Sequence, residues 1–114
     1  MKPKETIEQI VFTKKSKRAL IDETLGRFQF IMDETFHGND TQNFKKEFPL
    51  NTQIEDLKYS IDDVVIYVGS LKSPEIAIEV VLDIFHNKSS SELGTFSEIF
   101  NEDGVLIDQL LVIN

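Results

Sequence analysis

The sequence predicts an α+β domain in which an antiparallel sheet packs against two helices, and three observations carry that prediction. Phe28, Phe30 and Met32 alternate along Arg27-Phe28-Gln29-Phe30-Ile31-Met32, so a strand there would bury one face. Two helix starts follow. Thr52-Gln53-Ile54-Glu55 has the form of a capping box. Ser73-Pro74-Glu75 places a capping serine, a proline at the first helical position and an acid near the positive helix end. Lastly, Val105 to Ile113 is almost wholly apolar, as suits a central strand covered on both faces.

In chain order, residues 4–13 hold Ile7, Ile10, Val11 and Phe12 at a spacing that allows a short helix or a strand. Lys14-Lys15-Ser16-Lys17-Arg18 reads as a solvated loop between two elements. From about Gly26 to Pro49 the expected content is two antiparallel strands. Asp33-Glu34 breaks the first, Gly38-Asn39-Asp40 supplies turn chemistry, and the second carries Phe44 and Phe48 before Pro49 ends it at an edge. Ile54, Leu57, Ile61, Val64, Val65 and Val68 then recur at helical spacing, with Gly69 placed to close the helix. In a second helix Ala77, Val80, Val81, Ile84 and Phe85 would face the core, opposite a polar stripe of Glu75, Glu79 and Asp83.

Strands compete for the same residues. Val64-Val65-Ile66-Tyr67-Val68 is rich in β-branched side chains, and Ile76, Ile78, Val80, Leu82 and Ile84 alternate with their neighbours. The alternative architecture is thus a curved meander of four C-terminal strands, and the choice for residues 53–87 stays open. Ser89-Ser90-Ser91 reads as a linker and Asn101-Glu102-Asp103-Gly104 as a turn. Phe96 to Phe100 either pairs with the last strand or forms a helical turn begun by Thr95-x-x-Glu98.

A chain of 114 residues is expected to be one domain with one core. Having no cysteine, it has no disulfide, thiolate metal site or catalytic thiol, which agrees with a reducing cytoplasm. Met1-Lys2-Pro3-Lys4-Glu5 lacks the apolar run of a signal peptide, and no stretch has the roughly 20 apolar residues of a membrane helix. Charge is distributed unevenly. Lys2, Lys4, Lys14, Lys15, Lys17 and Arg18 outweigh Glu5 and Glu8 to give residues 1–18 about +4, leaving about −12 on the rest of a chain whose net charge is −8. An acidic body of this kind is unsuited to direct nucleic-acid binding, which needs clustered Lys and Arg.

The sequence carries little that suggests catalytic chemistry. His37 lies among Asp33, Glu34 and Asp40, but that spacing matches no known metal loop, so a solvated acidic turn is expected and no metal. His86 would complement the negative end of a helix ending there. Ser89-Ser90-Ser91 lacks the strand–turn–helix context of a nucleophile, and every glycine is isolated, so no phosphate-cradling loop exists. Neither a cofactor nor enzymatic activity is expected. Adjacent acids do recur, at Asp22-Glu23, Asp33-Glu34, Glu55-Asp56, Asp62-Asp63 and Glu102-Asp103. On a helix from residue 53 to 69, Glu55, Asp56, Asp62 and Asp63 would project near one another and steer a basic partner.

Small, cysteine-free, acidic α+β chains of this size resemble bacterial immunity proteins of contact-dependent growth inhibition and related polymorphic toxin systems. Leu25-Gly26-Arg27-Phe28 followed by Phe36-His37-Gly38 is similar to a signature of bacterial families linked to such systems, where a Leu-Gly turn starts a strand and an aromatic-x-Gly turn ends it. The resemblance implies a non-enzymatic inhibitor that binds a cognate toxin domain, often a basic nuclease, and blocks it. It transfers no catalytic residue. The expected contact residues, Asp33, Glu34, Asp40, Glu55, Asp56, Asp62 and Asp63, rest on charge. Two other functions fit the chain. One is a small ligand-binding or enzymatic domain of the cone-shaped, nuclear-transport-factor type, with Phe28, Phe30, Tyr67 and Phe85 lining an apolar pocket. The other is a DNA-mimicking anti-defence protein whose acids are spaced like phosphates.

Overall fold

The computed structural model describes residues 11–70 and 73–114, so the reading of residues 4–13 lies largely outside the described residues. The fold is α+β, with one long helix packed on a four-stranded antiparallel sheet.

Helix α1 spans Lys17–His37. Its start lies within the basic stretch read as a loop. Ser16 is extended, and its Oγ accepts from the Ala19 N–H at 3.0 Å, satisfying one of the free amides of the first turn. At the other end the Gly38 N–H donates to the Glu34 carbonyl. Leu20, Thr24, Phe28 and Met32, each four residues from the next, form a buried row that Thr35 continues.

The two strands expected between Gly26 and Pro49 are therefore absent. Residues 28 and 32 share a face in a helix and in a strand alike, so their burial decides nothing. Phe30 does decide: a strand would bury it with them, yet it is 66% exposed. Leu25-Gly26 lies inside the helix and starts no strand. After the helix, the Asp40 carboxylate accepts from the N–H groups of Phe44 (2.9 Å) and Lys45 (3.0 Å). These bonds set up a single 3-10 turn, Phe44–Glu47, in place of the second strand. Phe48 then packs its ring against Phe36 at 5.3 Å.

The sheet runs β1 (Leu57–Ser70), β2 (Ser73–His86), β3 (Glu92–Asn101) and β4 (Leu106–Ile113), with each strand paired to the next. Of the two readings of residues 53–87, strands prevail, and the expected helical pair is the first hairpin of the meander. The capping box is real but short and displaced by one residue. The Asp56 carboxylate accepts from the Gln53 N–H at 2.9 Å and closes the 3-10 turn Ile54–Asp56, after which the chain extends. Pro74 stands ahead of the β2 residues that pair with β3, which begin at Ala77, so it breaks no bond of that ladder. Ile78, Val80, Leu82 and Ile84, at most 1% exposed, all point from β2 at the helix.

The core has two contiguous parts. Phe28, Met32, Phe48, Leu82, Ile84 and Phe96 form one, while Val11, Leu20, Ile78, Val80 and Phe100 form the other. Phe96 to Phe100 pairs with β4 in a hairpin turned at Asn101 to Gly104. However, β4 is an edge strand with one open face, not a central strand covered on both. Among the described residues, no helix is long and apolar enough to cross a membrane.

Candidate functional site

Among the described residues, helix α1 covers one face of the sheet and no element covers the other. Paired residues of an antiparallel ladder share a face, so the register identifies what the open face carries. Its rows run Tyr67–Ala77–Asn101, Val65–Glu79–Ile99–Asp108, Asp63–Val81–Ser97–Leu110 and Ser60–Asp83–Thr95–Val112. Large side chains on this face stand well into solvent: Leu110 is 59%, Tyr67 50% and Val112 43% exposed.

The same face is negative. A register shift between Ile61 and Asp63 marks a bulge in β1. The extra residue lets two successive aspartates serve one side, where strict alternation would send them to opposite faces. Asp63 pairs with Val81, while Asp62 lies close enough to Asp83 on β2 for their charges to interact. Desolvation first, then the charges of Asp62 and Glu92, hold the Asp83 carboxyl above its ordinary range. Tyr67 Oη donates to Glu79 at 2.8 Å, and that bond, with the carboxylate's charge, raises the phenol's pKa. Among the described residues paired across this face, Lys58 is the one cation set against Asp62, Asp63, Glu79, Asp83 and Asp108.

The expected contact residues divide into two groups. Asp62 and Asp63 belong to the open sheet face. Asp33, Glu34 and Asp40 belong to the end of α1 and the loop after it, with Glu55 and Asp56 in the turn before β1. The projected cluster of Glu55, Asp56, Asp62 and Asp63 does not form, because a strand rises about 3.3 Å per residue and carries position 62 roughly 20 Å from position 56. Several of these acids already have structural partners. Asp40 and Asp56 cap 3-10 turns, and Glu34 accepts from the Asn39 N–H at 3.2 Å. The Glu55 carbonyl, not its carboxylate, receives the Asn87 side chain.

The aromatic pocket is likewise not assembled. Phe28 lies in the core, Phe30 on the solvent side of α1, and Tyr67 and Phe85 on the open sheet face. His86 ends a strand, not a helix, where its Nδ1 accepts from the Lys88 N–H at 3.2 Å. Ser89-Ser90-Ser91 lies in the turn between β2 and β3. Among the described residues, no group of three or more His, Asp and Glu side chains is placed to hold a metal ion.

One polar group that pair-by-pair reading of acids passed over lies on the covered face. Glu98, in the middle of β3 and fully buried, accepts from Arg27 Nε at 2.7 and 3.0 Å and from Gln109 Nε2 at 2.6 Å. Arg27 also reaches Glu23 at 3.4 Å, Glu23 accepts from Lys15 Nζ at 2.9 Å, and the guanidinium lies over the Phe100 ring. The bond that Arg27 donates to Glu98, reinforced by the carboxylate's charge, raises the guanidinium's pKa against the opposing cost of burial. The Lys15 ammonium holds the Glu23 carboxyl below its ordinary value. This chain of charges ties helix, β3 and β4 together. The sequence signal for it was the alternation of β3 itself, which puts Glu98 between Phe96 and Phe100 on the buried side.

No protein family, characterised protein or solved structure matches this chain.

Proposed function

We propose that this protein is a non-enzymatic inhibitor of the immunity type, which binds a cognate, basic toxin domain such as a nuclease and occludes it with the open face of its sheet. The carrying observation is the composition of that face: exposed Leu110, Val112 and Tyr67 set among Asp62, Asp63, Glu79, Asp83 and Asp108. Apolar side chains supply desolvation at the centre of an interface, and surrounding carboxylates attract and orient a cationic surface. A non-catalytic role is supported by the burial of Glu98, whose oxygens are taken by Arg27 and Gln109 and present nothing to a substrate.

The test is binding and protection with the product of the neighbouring gene. The protein is expected to recover a basic domain and to protect cells that produce it. Reversing Asp62 and Asp63 to lysine should slow association by about tenfold or more and flatten its dependence on salt, because steering acts on the on-rate. An unchanged rate and salt slope would remove the open face from the interface.

A further inference from the structure

At the edge of the molecule, between the second half of α1 and the start of β1, a hollow of about 190 Å³ opens among Phe28, Met32, Ile54, Leu57 and Tyr59, with Asp33 on its lining. The Phe28 and Tyr59 rings meet edge to face at 4.9 Å, and Tyr59 Oη accepts from Gln29 Nε2 at 2.7 Å, which fixes the aromatic wall. Two other hollows differ in chemistry. The one beside the α1 end is lined by Glu34 and Asp40, whose oxygens already serve backbone N–H groups. The one beside Pro49 is lined by Lys45 and Lys46. Asp33 is exposed and its carboxylate, among the described residues, makes no hydrogen bond or ion pair, and no Lys or Arg lines its hollow.

We propose that this hollow is a receptor for a single lysine side chain of the protein's partner, with the four-carbon stem against Met32, Ile54 and Leu57 and the ammonium on the Asp33 carboxylate. The assignment follows from complementarity. Lysine joins an unbranched apolar stem to a compact cation, and it buries the first while keeping the second at a polar rim. The Tyr59 ring adds an electron-rich face for the same cation. An aliphatic residue would leave the carboxylate unused, and an acidic one would be repelled by it. This inference builds on the reading of the protein as a binder of basic surfaces. It adds an anchoring point away from the open sheet face, on a different pair of elements.

The experiment is methyl and amide NMR of the full chain titrated with Nα-acetyl-lysine methylamide at millimolar concentration, against the norleucine analogue, which keeps the stem and lacks the ammonium. Saturable shifts at the Met32, Ile54 and Leu57 methyls are expected with the lysine compound and not with the norleucine one. Asp33→Asn, at an exposed helical position, should raise the dissociation constant at least tenfold, whereas Asp22→Asn, an exposed acid of the same helix outside the hollow, should leave it unchanged. Equal shifts from both compounds, no shifts at these methyls, or full binding to Asp33→Asn would overturn the proposal. Because no toxin enters this measurement, a filled hollow with no protein partner would count against the inhibitor reading alone. A confirmed partner with an unresponsive hollow would count against the lysine site alone.

Discussion

Glu98 shows how one residue constrains its surroundings. A buried carboxylate without partners is far costlier than a buried methyl group, so Arg27, Gln109 and the packing of α1 on β3 have to stay in register with it. Removing Arg27 alone is expected to cost about 3 kcal/mol, the lower end for a broken buried pair, because the guanidinium is partly exposed. Replacing both partners with apolar residues, as Arg27→Met with Glu98→Leu, should recover most of that loss, since no charge is then stranded. Urea unfolding of the parent, Arg27→Met and the double variant measures the difference, and a double variant no better than Arg27→Met would refute the coupling. Further out, Glu23 gives the same network a pH dependence. Its carboxyl is held below the ordinary value by Lys15, so the stability it contributes is present above the unfolded pKa and is lost as pH falls through the folded one. Glu23→Gln should therefore be less stable than the parent at neutral pH, by about 0.5–1 kcal/mol after allowing for solvent screening. The two should converge in acid, which thermal melts across the carboxylate range would show.

At the scale of elements, glycines test the helix and the hairpin separately. Gly26 lies inside α1, where an added Cβ would meet open space. Gly26→Ala should stabilise the protein by about 0.5–1 kcal/mol, because alanine loses less backbone freedom in a helix interior. If residues 25–28 were instead a turn and strand, no such gain would follow. Gly94, on β3, faces the opposite situation: a Cβ there would collide with the backbone of Val112 and Ile113. Gly94→Ala should part β3 from β4 and lower the melting temperature sharply, as amide exchange along Leu110 to Ile113 would report. These elements also mark what the sequence made legible. The terminal turn could be read because Asn101 to Gly104 separates two apolar runs, whereas Phe96 to Phe100 stayed open between a hairpin strand and a helical turn until pairing with β4 decided it. The helix was hidden because positions 28 and 32 coincide on both periods and Thr24 interrupts its buried row with a polar residue. The first hairpin stayed open between helices and strands because the local signals for a helix are valid as far as they go: Gln53 to Asp56 does cap a turn. Fourteen-residue strands with helix-compatible apolar spacing took their state from tertiary pairing, which local patterns do not encode. On the proposed interface, Asp62 and Asp63 stand out in the sequence by their adjacency alone. Asp83, Glu79 and Leu110 do not, because a shared face exists only once the register is set.

For the molecule as a whole, an interface on the open sheet face, as proposed, sets stability against recognition. Desolvation of Asp83 first, and then its repulsion from Asp62 and Glu92, costs folding energy at neutral pH, and the raised Asp83 pKa is the sign of that cost. A carboxyl raised in the folded state is bound more tightly to its proton there. Its ionisation therefore weakens the fold as pH rises through that pKa, and the penalty disappears again in acid. Asp83→Asn should accordingly raise the melting temperature at pH 7 by about 1–3 °C, with the gain vanishing towards the acid end of the carboxylate range. If the face is an interface for a basic partner, the same substitution should slow association and raise the dissociation constant several-fold, most visibly at low salt. The two measurements together distinguish a functional surface from an incidental one. A variant that is more stable and binds as well as the parent would show that the acids serve solubility alone. One that is more stable and binds less well would show that the repulsion is retained for recognition. That second outcome also ranks the surfaces, because Asp33→Asn, lying on α1 outside this field, should weaken binding without the gain in stability.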